Sequence, residues 1–131
     1  MIKIGVIGAG HLGKIHLKIL EKSKKYDLIG YHDNDQKNVI QIEKSNNYTH
    51  FKSIEELIDS VDVVDIVTPT ISHYQIAMMS INKGKHIFIE KPIASDLKEA
   101  EKISSLAKKN GILGQVGHVE RFNPGFNSVI N

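Results

Sequence analysis

At 131 residues, with no cysteine and a formal net charge of +2, the chain can build one cored domain and excludes disulfides, thiol catalysis and thiolate metal sites. Hydrophobic residues make up 40% and charged residues 24%, as in an ordinary soluble domain, and the lysines are too scattered to form a nucleic-acid surface. No stretch approaches the ~20 apolar residues of a membrane span, and Lys and Gly interrupt MIKIGVIGAG where a signal peptide needs an apolar core; a cytoplasmic protein with neither membrane nor nucleic acid as partner is expected.

In chain order, apolar runs alternate with helical patterns. Ile2 to Ile7 is a short apolar run ended by Gly8, hence a strand, and Leu12, Ile15 and Ile19 recur at helical spacing over 11–24. Leu28 to His32 reads as a second strand, 35–45 as a weaker helix, and Thr49 to Phe51 as a short third strand. Ser53 with Glu56 forms a capping-box pattern opening a helix through Ile58. Val61 to Val67, closed by Pro69, is a fourth strand. Ser72 with Gln75 is a further capping-box pattern, and Gly84 suits the residue after that helix. His86 to Ile89 is the fifth strand, Asp96 with Glu99 opens a helix ending near Asn110-Gly111, and Ile112 to Val119 is the sixth strand. Short apolar strands joined by helices predict a doubly wound α/β fold of the Rossmann kind, a parallel sheet of about six strands covered on both faces. After Val119 the chain turns polar, and Pro124 suits the first turn of a new helix.

Two stretches carry the clearest chemistry. Gly8-Ala9-Gly10-His11-Leu12-Gly13 fits G-x-G-x-x-G between a strand and a helix. Gly8 allows the tight turn, Gly10 lets backbone approach a pyrophosphate, and Gly13 permits close helix–strand packing. The helix then offers free N–H groups to the phosphates, so the six-residue loop is the candidate cradle of a dinucleotide. Asp33 follows 20 residues after Gly13, where an acid meets the adenosine ribose. A carboxylate there accepts from the ribose hydroxyls and repels a 2′-phosphate. Two like charges about 4 Å apart cost ~1 kcal/mol in water and ~4 kcal/mol at an effective dielectric of 20. The expected preference for NAD over NADP is roughly tenfold to several-hundredfold. Asp33 also suits a plain turn, and Asp35 is the competing acid.

Two further stretches lie at carboxyl ends of strands, where ligands bind in such sheets. In VTPTISH, Thr68 and Pro69 pass beside the cofactor, while His73 either serves it or is simply a first-turn residue. In HIFIEKP an apolar strand runs straight into Glu90-Lys91-Pro92. Lys91 there points toward the nicotinamide end, acting as a base toward a substrate hydroxyl or holding it. Glu90 orients Lys91 or caps nearby backbone, and Pro92 fixes the loop direction, with a cis bond as one means. Spacing alone leaves open a solvated Glu90–Lys91 ion pair. The histidines at 11, 16, 32, 50 and 86 show no metal spacing, and no metal site is expected.

GAGHLG, Asp33, T-P-x3-H and G-K-H-x3-E-K-P-x-A (Gly84 to Ala94) together resemble the Gfo/Idh/MocA oxidoreductase family, from Ile2 to about Pro124. The resemblance implies a dehydrogenase acting on a sugar or nucleotide sugar, with Lys91 catalytic beside the nicotinamide. It implies cofactor contacts at Gly8, Gly10, Gly13, Asp33, Thr68 and Glu90, and at His73 with less support. QVGHVERFNP at 115–124 is similar to members acting on UDP-N-acetylamino sugars. There His118 and Arg121 meet nicotinamide, substrate or diphosphate, or merely anchor the linker. The division expected is a cofactor domain at 1–119 and, at 120–131, a linker with the truncated start of an α+β substrate domain, Asn131 falling inside a linking helix. Such a chain should be monomeric and bind NAD without turning over sugar, its full-length parent being a homo-oligomer. A non-enzymatic NAD-binding module is the alternative.

Overall fold

A computed structural model describes residues 1–130. Five strands form one parallel sheet: β1 (Ile2–Ile7), β2 (Tyr26–His32), β3 (Val63–Ile66), β4 (His86–Ile89) and β5 (Gly114–Val116), in the order β2-β1-β3-β4-β5. Six α-helices connect or follow them: α1 (His11–Glu21), α2 (Gln36–Ser45), α3 (Ile54–Ser60), α4 (His73–Asn82), α5 (Leu97–Lys109) and α6 (Pro124–Ile130).

Strand periodicity assigns the two faces. Successive side chains of β1 point opposite ways, so Val6 joins Leu17 of α1 and Val39 and Ile42 of α2, while Ile7 joins the larger core. That core holds Leu57 and Ile58 of α3, Ile76 and Ile81 of α4 and Ile103 of α5, together with Val64, Ile66, Ile87 and Ile89 of the sheet. The chain winds one way through α1 and the other way through α3, α4 and α5. The sheet therefore has its topological switch between β1 and β3, at the carboxyl edge.

The doubly wound parallel fold agrees with expectation, but the sheet has five strands rather than six. The third expected strand, Thr49 to Phe51, is a single bridge between Tyr31 and His50. The segment still lies beside β2, with Tyr31 N–H donating to the Thr49 carbonyl (2.9 Å) and Phe51 N–H to the Tyr31 carbonyl (2.8 Å). It occupies an edge position after the polar Asn46-Asn47, and the cap of α3 at Ser53 ends it at once. The last strand contracts from 112–119 to Gly114–Val116, because the backbone after Gly117 enters a 3-10 turn at Val119–Phe122.

Capping separates the helix starts. Ser53 Oγ accepts from Glu56 N–H (3.2 Å), and Asp96 Oδ1 accepts from Glu99 N–H (2.9 Å). The expected Ser72–Gln75 box does not form. Ser72 lies in a 3-10 turn over Thr70–Ser72, and its hydroxyl donates to the Pro69 carbonyl at 2.9 Å. Pro124 does open α6, which packs against the 3-10 turn before it. The expected place of Asn131 within a linking helix lies outside the described residues.

Ile81, fully buried on α4, should lose about 2–5 kcal/mol when changed to Ala. Ile19, 63% exposed on α1, should lose no more than about 0.5 kcal/mol. Urea unfolding monitored by circular dichroism separates the two; equal losses would contradict this account of the core.

Candidate functional site

The carboxyl ends of all five strands meet at one edge. The turn from β1 into α1 is built from the glycine loop. Gly8 has φ +95°, and a Cβ there would lie 2.7 Å from Thr68 N. A Cβ on Gly13 would collide with the Gly8 carbonyl oxygen. Both glycines are therefore required by the chain's own packing. Gly10 is different. Its φ of −65° suits any residue, and a Cβ there would meet no described atom within 4 Å. No packing contact requires that glycine, although glycine is among the residues favoured at a helix N-cap. No side chain caps α1, and no acid occupies its first turn. Ala9 is buried in the turn, and His11 and Leu12 are exposed on its outer side.

Beside this turn lies a cleft of about 310 Å³, lined among others by Gly8, Asp33, Asn34, Thr68, Pro69 and Gln75. Asp33 is half-buried and tied to the glycine turn. Its Oδ2 accepts from Ala9 N–H (2.6 Å) and from Asn38 Nδ2 (3.2 Å), and its Oδ1 accepts from Asp35 N–H (2.7 Å). A carboxylate has about four acceptor positions, so three are already used. Asp35 points elsewhere, capping α2 through Lys37 N–H at 2.9 Å. The Thr68 hydroxyl oxygen is buried without a hydrogen-bond partner among the described residues.

The Glu90-Lys91-Pro92 turn follows β4 at the same edge, with a cis Lys91–Pro92 peptide. Lys91 is exposed and Glu90 is 8% exposed, so the solvated ion pair left open by spacing does not form. Glu90 Oε2 instead accepts from the Lys91 backbone N–H (3.2 Å), and its Oε1 lies 3.4 Å from His16 Nε2. A Cβ at Gly117 would sit 2.6 Å from Oε1, so that glycine makes room for the carboxylate. His16 Nδ1 in turn meets Asp65 Oδ2 at 2.8 Å. His73, 1% exposed, lies with Nε2 2.8 Å from the Thr68 carbonyl oxygen and Nδ1 3.0 Å from that of Pro92. Its ring has no surface turned toward a ligand. His118 and Arg121 are exposed at the 3-10 turn after β5.

His16 and Asp65 are the residues that sequence reading missed. His16 figures in the sequence only among histidines without metal spacing, and Asp65 only as one residue of the run Val61 to Val67. The available signal was the charge itself, an acid in the middle of a buried strand. The hydrogen bond that its ring donates to Asp65 raises the His16 imidazole above its usual 6.5, against burial that lowers it, with Asp65 and Glu90 adding attraction. Burial pushes the Asp65 carboxyl upward, although His16 pulls it down.

The family model described as "Oxidoreductase family, NAD-binding Rossmann fold" matches residues 2–118. The chain belongs to the Gfo/Idh/MocA family and is its NAD-binding Rossmann domain. It is 32% identical over 127 residues to the UDP-N-acetylglucosamine 3-dehydrogenase of Acidithiobacillus ferrooxidans, covering 94% of this chain and 39% of that protein. It is 31% identical over 131 residues to the glucose-6-phosphate 3-dehydrogenase of Bacillus subtilis, covering all of this chain and 36% of that one. The solved structure of the Acidithiobacillus enzyme superposes with a TM-score of 0.87 at 31% identity, over 98% of this chain and 42% of the other. The chain thus spans well under half the length of these relatives.

The His16–Asp65 proton gives a signed pH dependence. A folded value above the unfolded one stabilises fully below pH ~6.5, and that contribution is lost as pH rises through the raised value. The raised Asp65 carboxyl has the same sign in a lower window, its contribution being full below about pH 3.8 and lost as pH rises through the raised value. Unfolding free energy should therefore decline above pH ~6.5, and His16→Gln should flatten that decline. A wild-type profile that is flat or rising between about pH 6.5 and 9 would contradict the pairing.

Proposed function

We propose that this chain is the cofactor-binding half of a dehydrogenase that moves hydride between a hydroxyl-bearing carbon of a sugar or nucleotide sugar and NAD. The observation that carries the reading is Gly10, a glycine that no packing contact requires, at an N-terminus of α1 that no side chain caps. A diphosphate lying over it receives the free N–H groups of the helix start and the favourable end of the helix dipole. The adenosine half then extends into the cleft between Asp33 and Thr68-Pro69, and the nicotinamide half runs toward Glu90 and Lys91.

NAD supplies the hydride acceptor. Lys91 takes or relays the proton of the reacting hydroxyl. Asp33 reads the ribose with its remaining acceptor position, and the ribose hydroxyls replace the Asn38 amide as they bind. His118 and Arg121, on the segment that follows β5, face the sugar or its diphosphate. Residues 1–119 form the cofactor domain and 120–131 the start of the connection onward. The names of the relatives support a sugar or nucleotide-sugar substrate. NAD is preferred over NADP, because the Asp33 carboxylate would repel a 2′-phosphate.

Gly10→Ala tests the phosphate site. The backbone there accommodates alanine, so the fold should change by no more than about 1 kcal/mol. NAD affinity measured by calorimetry should fall at least tenfold. Retained affinity would remove the principal support for the reading. Asp33→Ala should weaken NAD and narrow its advantage over NADP; an unchanged ratio of the two dissociation constants would mean that another group reads the ribose.

A further inference from the structure

The turn that carries Lys91 is held from both faces of the sheet by histidines. On the α1 face, His16 lies between two carboxylates, Asp65 Oδ2 at 2.8 Å and Glu90 Oε1 at 3.4 Å. Its ring also packs edge-on to Phe88, with centroids 6.0 Å apart. Glu90 passes the hold to Lys91 by accepting the Lys91 backbone N–H at 3.2 Å. On the α4 face, His73 spans the Pro92 carbonyl oxygen at 3.0 Å and the Thr68 carbonyl oxygen at 2.8 Å. Lys91 is the one residue between these two tethered neighbours, and it is itself exposed.

This arrangement is costly if its only purpose is stability. Glu90, Asp65 and His73 are 8%, 3% and 1% exposed, and one Asp65 oxygen has no partner among the described residues. Buried ionisable groups are weak contributors to stability, because desolvation offsets much of their attraction. Their value lies in fixing geometry, and a misplacement of about 1 Å at a reacting group can cost roughly 100-fold in rate.

We propose that His16, acting through Glu90, and His73, acting through the Pro92 carbonyl, are paired positioning residues that fix Lys91 over the end of β3 and β4. The other ring nitrogen of His73 lies 2.8 Å from the Thr68 carbonyl oxygen, so the Lys91 turn and the Thr68 loop pack on one buried ring. This inference rests on the reading of Lys91 at the nicotinamide.

Two measurements on the 131-residue chain test it. The first is the backbone order parameter of Lys91 by 15N relaxation. It should be about 0.85 in the wild type and fall below about 0.6 in His16→Gln and in His73→Gln. Val64 and Ile66 in β3 should stay rigid. If His16→Gln fails to fold, Glu90→Ala removes the acceptor that His16 and the Lys91 N–H share. A Lys91 order parameter unchanged in the folded variants overturns the proposal. The second is the ratio of the dissociation constants for NAD+ and NADH, which a purely structural tether would not move. Lys91→Ala should shift it roughly fivefold toward NAD+, the factor for like charges about 4 Å apart in water. Each histidine variant should shift it the same way, and should add nothing in the Lys91→Ala background. Additive shifts contradict action through Lys91. If Lys91→Ala itself leaves the ratio unchanged, the nicotinamide reading fails, and the tethers are judged by the order parameters alone.

Discussion

The turn from β1 into α1 lies so close to the end of β3 that no side chain fits between them. Gly8 meets the Val67–Thr68 backbone, and Gly13 meets the Gly8 carbonyl. Everything at the carboxyl edge takes its position from that closeness. It brings the start of α1 over the switch point of the sheet, sets Asp33 within reach of Ala9 N–H, and puts Thr68 at the floor of the cleft. Larger residues at these two glycines would push α1 off the sheet and open the site from beneath. Gly10 then stands out as the glycine whose role faces outward.

The second half of the edge is organised by charge rather than by size. A buried parallel strand ordinarily ends in turn residues, yet β4 ends in Glu90-Lys91-Pro92. The structure separates that apparent ion pair into two functions. Glu90 turns inward to His16 and the Lys91 backbone, and Lys91 is left facing outward. A carboxylate in so dry a place needs both a partner and room. His16 supplies the partner and Gly117 the room. The acid inside β3 follows from the same logic, since Asp65 holds the histidine that holds Glu90.

The local signals in the sequence made most of the fold legible. Apolar runs marked β1 to β4, helical spacing marked α1, and Ser53 and Asp96 cap their helices as their spacing indicated. The two failures within the fold differ in cause. Thr49 to Phe51 had strand-like residues but too little apolar surface to extend beyond one bridge at the sheet margin. Ser72 had a capping pattern, but the 3-10 turn took its hydroxyl. Within the site, the glycine loop and the Glu90-Lys91-Pro92 turn were visible because short-range patterns encode them. The His16–Asp65–Glu90 chain was not, because its members come from α1, β3 and the end of β4. No sequence period links them. His73 was visible as a residue near the site, but only the folded chain reveals that its ring faces two carbonyls rather than the cleft.

On the proposed reading, one dinucleotide lies along this edge, its diphosphate over Gly10 and its nicotinamide end at Lys91. The most direct test is an NMR titration of assigned backbone amides with NAD. Shifts are expected at residues 8–13, at Asp33, at Thr68 and at Lys91, saturating with a single dissociation constant, while amides of α5 and of the outer face of α2 stay fixed. Shifts confined to other surfaces, or none at saturating NAD, would contradict it.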